Sequence, residues 1–288
     1  MTRVLSALVL LPVVIGTIWF LPPWGTLVLA LVAAVLAFME YRGIARALSA
    51  EVDAGVGGTA VMLACVAMAI GGSPTDVIWD GRPLMSPNTV YLVLAAATLV
   101  AGSVAVATAV PGPAVLASVA ATLFPLAYIG LPLGALAAVR GDIGAFAASS
   151  WGADGGRVVV LLLLAVIVVS DSAQYYTGRA FGRRPLAPTI SPKKTIEGAI
   201  GGVVFGTLAM TFGGRYVFLS PIWMLALFGA VIVTLGIVGD LFESLLKRSA
   251  GIKDSSNLIP GHGGVLDRID SWLFTAPVYY VFIRFIAS

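Results

Sequence analysis

Charge is what this sequence lacks most. Of 288 residues only 11% are Asp, Glu, Lys or Arg, against about 25% in an average soluble domain. That scarcity leaves no soluble domain of useful size. Cysteine is nearly absent, with Cys65 alone. A single cysteine excludes an intrachain disulfide and a Cys-based metal site, and its place in an apolar run reads as a small buried hydrophobe. Histidine is equally scarce, with His262 alone. What is abundant is apolar: 59% of the residues are hydrophobic and the mean hydropathy is +1.01. The composition predicts an all-α polytopic integral membrane protein.

A span needs about 20 apolar residues. The chain offers nine such runs: 3–20, 25–41, 56–71, 88–109, 113–137, 156–178, 197–213, 220–246 and 265–286. Breakers separate them, among them Pro22-Pro23, Pro111-Gly112-Pro113 and Ser220-Pro221. Gly130-Leu131-Pro132 lies inside the fifth run and predicts a kink or a split there. Arg3 before an apolar run resembles a signal peptide, but no small-residue cleavage site precedes Leu21, so a retained first helix is expected. With nine spans and the N-terminus inside, 12 cations fall on the cytoplasmic side: Arg3, Arg42, Arg46, Arg179, Arg183, Arg184, Lys193, Lys194, Lys247, Arg248, Lys253 and Arg268. Only 5 fall outside: Arg82, Arg140, Arg157, Arg215 and Arg284. That asymmetry sets the orientation.

Chemistry-bearing residues concentrate in the second half. Residues 1–110 read as packing helices, with Glu40, Tyr41 and Arg42 as an interfacial anchor. Residues 111–288 read as the catalytic region. Its densest stretch is 240–270, with Asp240, Glu243, Lys247, Arg248, Lys253, Asp254, His262, Asp267, Arg268 and Asp270 between apolar runs. Ionisable groups at membrane depth are costly and point to function. Asp240 and Glu243 share a helix face, as do Asp267 and Asp270. Gly261, Gly263 and Gly264 suit a loop that brings backbone N–H groups close to a ligand. Carboxylates for Mg²⁺ beside cations for phosphate suggest chemistry on a nucleotide. Ion pairing of the three Asp with Lys247, Arg248 and Arg268 is the competing reading.

A second segment begins at Ser170-Asp171 and runs through Tyr175, Gly178 and Arg179. Asp171 either joins the acidic centre or bonds a helix terminus. Tyr175 either stacks on a base or packs in the bundle. Ser191-Pro192-Lys193-Lys194-Thr195-Ile196-Glu197-Gly198 follows. Pro192 near a helix start, with Thr195 and Glu197 in the first turn, predicts an anion-attracting N-terminus there. The lysines add point charges suited to phosphate.

Both segments resemble one family. The string Ser244-x-x-Lys247-Arg248-x4-Lys253-Asp254-x7-His262-Gly263-Gly264-x-x-Asp267-Arg268-x-Asp270 is similar to the signature of phosphatidate cytidylyltransferases (CDP-diacylglycerol synthases). Ser170, Asp171, Tyr175, Gly178, Arg179, Phe181, Gly182, residues 191–195, Glu197 and Gly198 fit a second pattern of that family, with Gln174 in place of its Ala. The resemblance is strongest over 165–275. It implies transfer of CMP from CTP to phosphatidate, giving CDP-diacylglycerol and pyrophosphate. It implies Mg²⁺, with room for a second cation, on Asp240, Asp267 and Asp270; Glu243, on the face of Asp240, is a further ligand or a group supporting one, and Asp171 is the other candidate ligand. Lys247, Arg248, Lys253, His262 and Arg268 would serve the reaction. Ser191, Lys193, Lys194, Thr195, Glu197, Arg179, Tyr175, Gly263 and Gly264 would bind substrates. A homodimer in the bacterial inner membrane with a cytoplasm-facing site is expected, with no nucleic-acid partner. The rivals are cytidylyl transfer to another lipid phosphate such as an ether lipid, an ion-coupled transporter and a scaffolding protein. No internal repeat of the transporter kind is present.

Overall fold

The computed structural model describes residues 2–71, 78–79, 82–83, 88–141, 144, 147–261 and 263–285. His262 lies outside them. Nine long helices follow one another among the described residues: α1 (Thr2–Phe20), α2 (Pro23–Ala47), α3 (Ala54–Gly71), α4 (Asn88–Thr108), α5 (Ala114–Arg140), α6 (Gly155–Phe181), α7 (Ile196–Val217), α8 (Ile222–Ser249) and α9 (Leu266–Phe285). Two short hairpins interrupt them, β1 (Ile78–Trp79) with β2 (Arg82–Pro83) and β3 (Pro185–Ala187) with β4 (Ser191–Thr195). Among the described residues seven helices, α2 to α8, are long and apolar enough to cross a membrane. The apolar part of α1 is the shorter Leu10–Phe20, and α9 carries Asp267, Arg268, Asp270 and Arg284. The chain is an all-α integral membrane protein.

The chain divides into two compact units. The first comprises Met1–Ala138 and Ser249–Ile269. A division at residue 110 follows chemical content; compactness instead groups most of α5 and the 249–269 segment with the first four helices. The expected irregularity in α5 is present and does not split it. Leu126–Gly130 form a π-helical turn between Pro125 and Pro132. A proline contributes no N–H, and widening one turn absorbs the lost bond without ending the helix. Gly130 lies at this turn, and a Cβ there would stand 2.6 Å from the carbonyl oxygen of Val61 on α3. Small residues thus let α5 and α3 approach closely. Ala60, Ala64, Ala97 and Leu126 form a buried cluster beside that crossing. At the start of α3, Asp53 accepts the N–H of Val56 at 2.8 Å, capping the helix.

The second unit comprises Val139–Arg248 and Asp270–Ser288. α6 and α7 pack along a glycine-rich face. Gly206 of α7 meets Val233 of α8, and Gly239 of α8 sits against the Asp270 carbonyl and Phe274 of α9. Phe228 of α8 stacks on Phe282 of α9 at 3.7 Å, and the buried Tyr279 hydroxyl donates to the Val159 carbonyl at 2.7 Å. The region 191–195 differs from the sequence expectation. It is a strand, and Pro192 lies in it rather than at a helix start. A two-stranded hairpin is all edge, where a missing N–H is tolerated. α7 starts at Ile196; Thr195 is its cap, accepting the Gly198 N–H at 3.1 Å.

Candidate active site

In the second unit, four elements bring charge together. Asp171 comes from α6, two residues after Val169 ends the apolar run that makes α6 a span. Lys194 comes from β4, Asp240 from α8 and Asp270 from the second turn of α9. Lys194 and Asp240 form an ion pair. Asp270 lies within the electrostatic reach of Asp240, Asp171 and Lys194. Its Oδ1 accepts the Ser271 N–H at 2.6 Å. Gln174 Nε2 donates to Asp171 Oδ1 at 3.2 Å and to Ser170 Oγ at 3.3 Å, fixing the start of this acidic side of α6. Lys194 thus pairs with Asp240, and Asp270 has both of them and Asp171 within reach. Like charges so placed repel unless a cation lies among them.

The basic residues around this group have distinct duties. Arg248 Nε donates to the Ile190 carbonyl at 3.3 Å, tying the end of α8 to the hairpin turn. Glu197 accepts the Arg183 and Arg184 N–H groups at 3.0 and 3.2 Å. This acid fastens the hairpin's approach and sits in the first turn of α7, where the helix dipole favours it. Arg179 Nη1 donates to the Tyr175 hydroxyl at 3.3 Å, and both residues are exposed. Lys193 is also exposed. Glu243 and Lys247 form an ion pair within α8, and both are buried. Ser191 is half-buried in β4.

In the first unit, the segment after α8 is held by two acids. Asp267, in the first turn of α9, accepts the Ser255 N–H, the Gly264 N–H and the Ser255 hydroxyl on Oδ2, at 2.9, 2.7 and 2.8 Å. Glu40 of α2 accepts the Ser256 hydroxyl and the Val265 N–H on Oε1, at 2.7 and 2.9 Å. On Oε2 it accepts the Leu266 N–H at 2.7 Å and meets the Ser255 hydroxyl at 2.9 Å. The two glycines serve this packing. Gly263 has φ +78°, and a Cβ there would lie 2.5 Å from Asp267 Oδ2. A Cβ on Gly264 would lie 2.1 Å from Ser255 Oγ and 2.4 Å from Glu40. Lys253 and Arg268 are exposed. Reading the sequence alone misses Glu40, Ser255 and Ser256. The available signal is an acid embedded near the end of an apolar run.

Among the described residues no group of three or more His, Cys, Asp or Glu stands at metal-ligand spacing. The donors of the second unit nevertheless suit a hard divalent ion in kind, being carboxylate oxygens in excess of their cation.

Residues 1–286 match the model of the cytidylyltransferase family. A phosphatidate cytidylyltransferase of Aquifex aeolicus is 46% identical over 113 residues, 39% of this chain and 42% of that protein. The Synechocystis enzyme of the same name is 47% identical over 116 residues, 40% of this chain and 39% of the relative. That of Helicobacter pylori is 39% identical over 144 residues, 50% and 54% respectively. The chain thus spans from about two fifths to just over half the length of these curated relatives. With nearly its full length matched by one family model, this chain belongs to the cytidylyltransferase family.

Proposed function

We propose that this protein transfers CMP from CTP to phosphatidate, releasing pyrophosphate. The observation that carries the reading is the Lys194–Asp240 ion pair with Asp270 in reach of both and of Asp171, within the second unit. Its relatives' names and the family match support it. A phosphate oxygen of phosphatidate is already a nucleophile. It attacks the α-phosphorus of CTP, the bond to the β-phosphate oxygen breaks, and pyrophosphate leaves with that electron pair. No side-chain nucleophile is needed. What the reaction asks of a protein is in-line positioning and relief of repulsion between anions.

Asp171, Asp240 and Asp270 of the second unit would hold Mg²⁺; the family resemblance, rather than the geometry, counts Asp267 among the ligands and allows a second cation. When bound, Mg²⁺ supplies charge neutralisation for the phosphates and the leaving group. Lys194, paired with Asp240, is poised to exchange that partner for a phosphate. Lys193, Arg179, Lys253 and Arg268 are exposed cations available to the triphosphate and the lipid headgroup. Nine crossings with the N-terminus in the cytoplasm put the site at the inner face of a bacterial inner membrane. There the acyl chains stay in the bilayer while the headgroup meets soluble CTP. A homodimer completes the proposal; α4, largely exposed along its apolar length, offers an open face for lipid or a second copy.

The test is release of pyrophosphate by purified protein in detergent with CTP, phosphatidate and Mg²⁺. Activity should fall at least about 100-fold in Asp240→Asn and in Asp267→Ala, as expected when charge stabilisation of a developing anion is lost. Turnover of an ether-lipid phosphate in place of phosphatidate would reassign the acceptor. A folded protein inactive on every lipid phosphate would sink the enzyme reading in favour of transport.

A further inference from the structure

We infer that Glu40, in the N-terminal helices, is a positioning residue for the reaction: it fixes the 255–266 segment and, through Ser255, the carboxylate of Asp267. The inference rests on the functional reading above, in which that segment belongs to the site. Three observations carry it, all within the first unit.

The first is saturation. Both Glu40 oxygens are engaged, Oε1 by Ser256 and Val265 and Oε2 by Ser255 and Leu266. The side chain is buried, and no ion pair to it exists among the described residues. An uncompensated buried carboxylate is costly. Its compensation here is the loop's own hydroxyls and N–H groups, so α2 and the segment are locked together. The second is the identity of the donors. Val265 and Leu266 supply N–H groups from the start of α9, which have no partner inside the helix. A negative group there also complements the helix dipole. Glu40 therefore sets where α9 begins, one residue before Asp267. The third is Ser255. Its single hydroxyl lies 2.9 Å from Glu40 and 2.8 Å from Asp267, so it links the two carboxylates. Gly264 is enclosed by the same pair, a Cβ there colliding with both Ser255 and Glu40.

A purely packing role and a positioning role differ in what they leave behind. Glu40→Gln keeps the shape but turns an NH₂ group toward two donors. Full-length wild type, Glu40→Gln, Ser255→Ala and the double variant are compared in detergent by pyrophosphate release, melting temperature and amide exchange over residues 250–268. Glu40→Gln should lose about 10- to 100-fold in kcat/KM per folded molecule, the range seen when a group that orients an active-site ligand is removed. The exchange of Val265 and Leu266 should accelerate. The double variant should be no worse than the poorer single variant, because both act through one network. Unchanged exchange, unchanged activity per folded molecule, or losses that multiply in the double variant would each overturn the inference. Should Glu40→Gln not fold, Ser256→Ala removes one donor while leaving the carboxylate, and unaltered exchange at Val265 would overturn it equally. Wild type without pyrophosphate release would defeat the functional reading, while the exchange comparison still decides the link from Glu40 to the loop.

Discussion

Lys194 shows how one side chain mediates between stability and catalysis. It is paired with Asp240, and the two side chains are 23% and 33% exposed, respectively. That intermediate burial puts the pair between an exposed ion pair, worth about 0–1 kcal/mol, and a buried one, whose breaking costs about 3–5 kcal/mol. Lys194→Met should therefore destabilise the protein by about 1–3 kcal/mol, because Asp240 loses its partner while Asp270 stays close to it. Adding Mg²⁺ should raise the melting temperature of the variant more than that of wild type, since a divalent ion replaces the missing charge. Equal Mg²⁺ shifts in the two proteins would remove these carboxylates from the proposed metal site. Residues of this kind are legible in sequence, for an Asp inside an apolar helix stands out against its neighbours. Glu40 is not, because 215 residues separate it from Ser255. Beside Tyr41 and Arg42 an acid at that depth reads as an anchor, and only the fold reveals its donors.

At the scale of elements, the approach of α6 to α7 decides where Asp171 stands in relation to the hairpin that carries Lys194. Gly198, Gly201 and Gly202 make the face of α7 that α6 meets. A Cβ at Gly198 would lie 2.8 Å from the Gln174 carbonyl oxygen, and one at Gly202 would lie 2.3 Å from the Gln174 Cγ. The two obstacles differ in kind. A Gln side chain can swing to another rotamer, whereas a carbonyl inside a helix moves only with the helix. Gly198→Ala should thus cost about 1–3 kcal/mol as overpacking. Gly202→Ala should cost less, despite its shorter nominal contact. Thermal unfolding of both variants in one detergent checks the order, and a reversed order would show that the helices slide freely. The existence of these helices is legible from apolar run length, and their ends agree with the breakers to within a few residues. The hairpin is not legible: five residues with two lysines and a proline carry no strand pattern. They become a strand because residues 185–187 lie opposite, and because Glu197 and Arg248 hold the ends of the turn region.

For the molecule as a whole, orientation is the property on which every cytoplasmic substrate depends. The distribution of 17 cations is its only determinant readable from sequence. Several of those cations have structural work besides topology: Lys247 pairs with Glu243, Lys194 pairs with Asp240, and Arg248 binds the hairpin turn. Residues held in ion pairs are weaker topological signals than free ones, yet Arg183, Arg184, Lys193, Lys253 and Arg268 remain exposed among the segments assigned to the inside. The excess therefore survives their removal, and the cations still predict an N-terminus-inside orientation. The solitary Cys65 makes the test clean, because it is buried and leaves the folded protein unreactive to an impermeant thiol reagent. Asn257→Cys, in the exposed segment before α9, should be labelled only after cells are permeabilised. Leu219→Cys, 86% exposed between α7 and α8, should be labelled in intact cells. The opposite pattern would place the 250–265 segment outside, away from CTP. It would refute cytidylyl transfer at the inner face even with every carboxylate in place, because a nucleotide confined to the cytoplasm could not reach it.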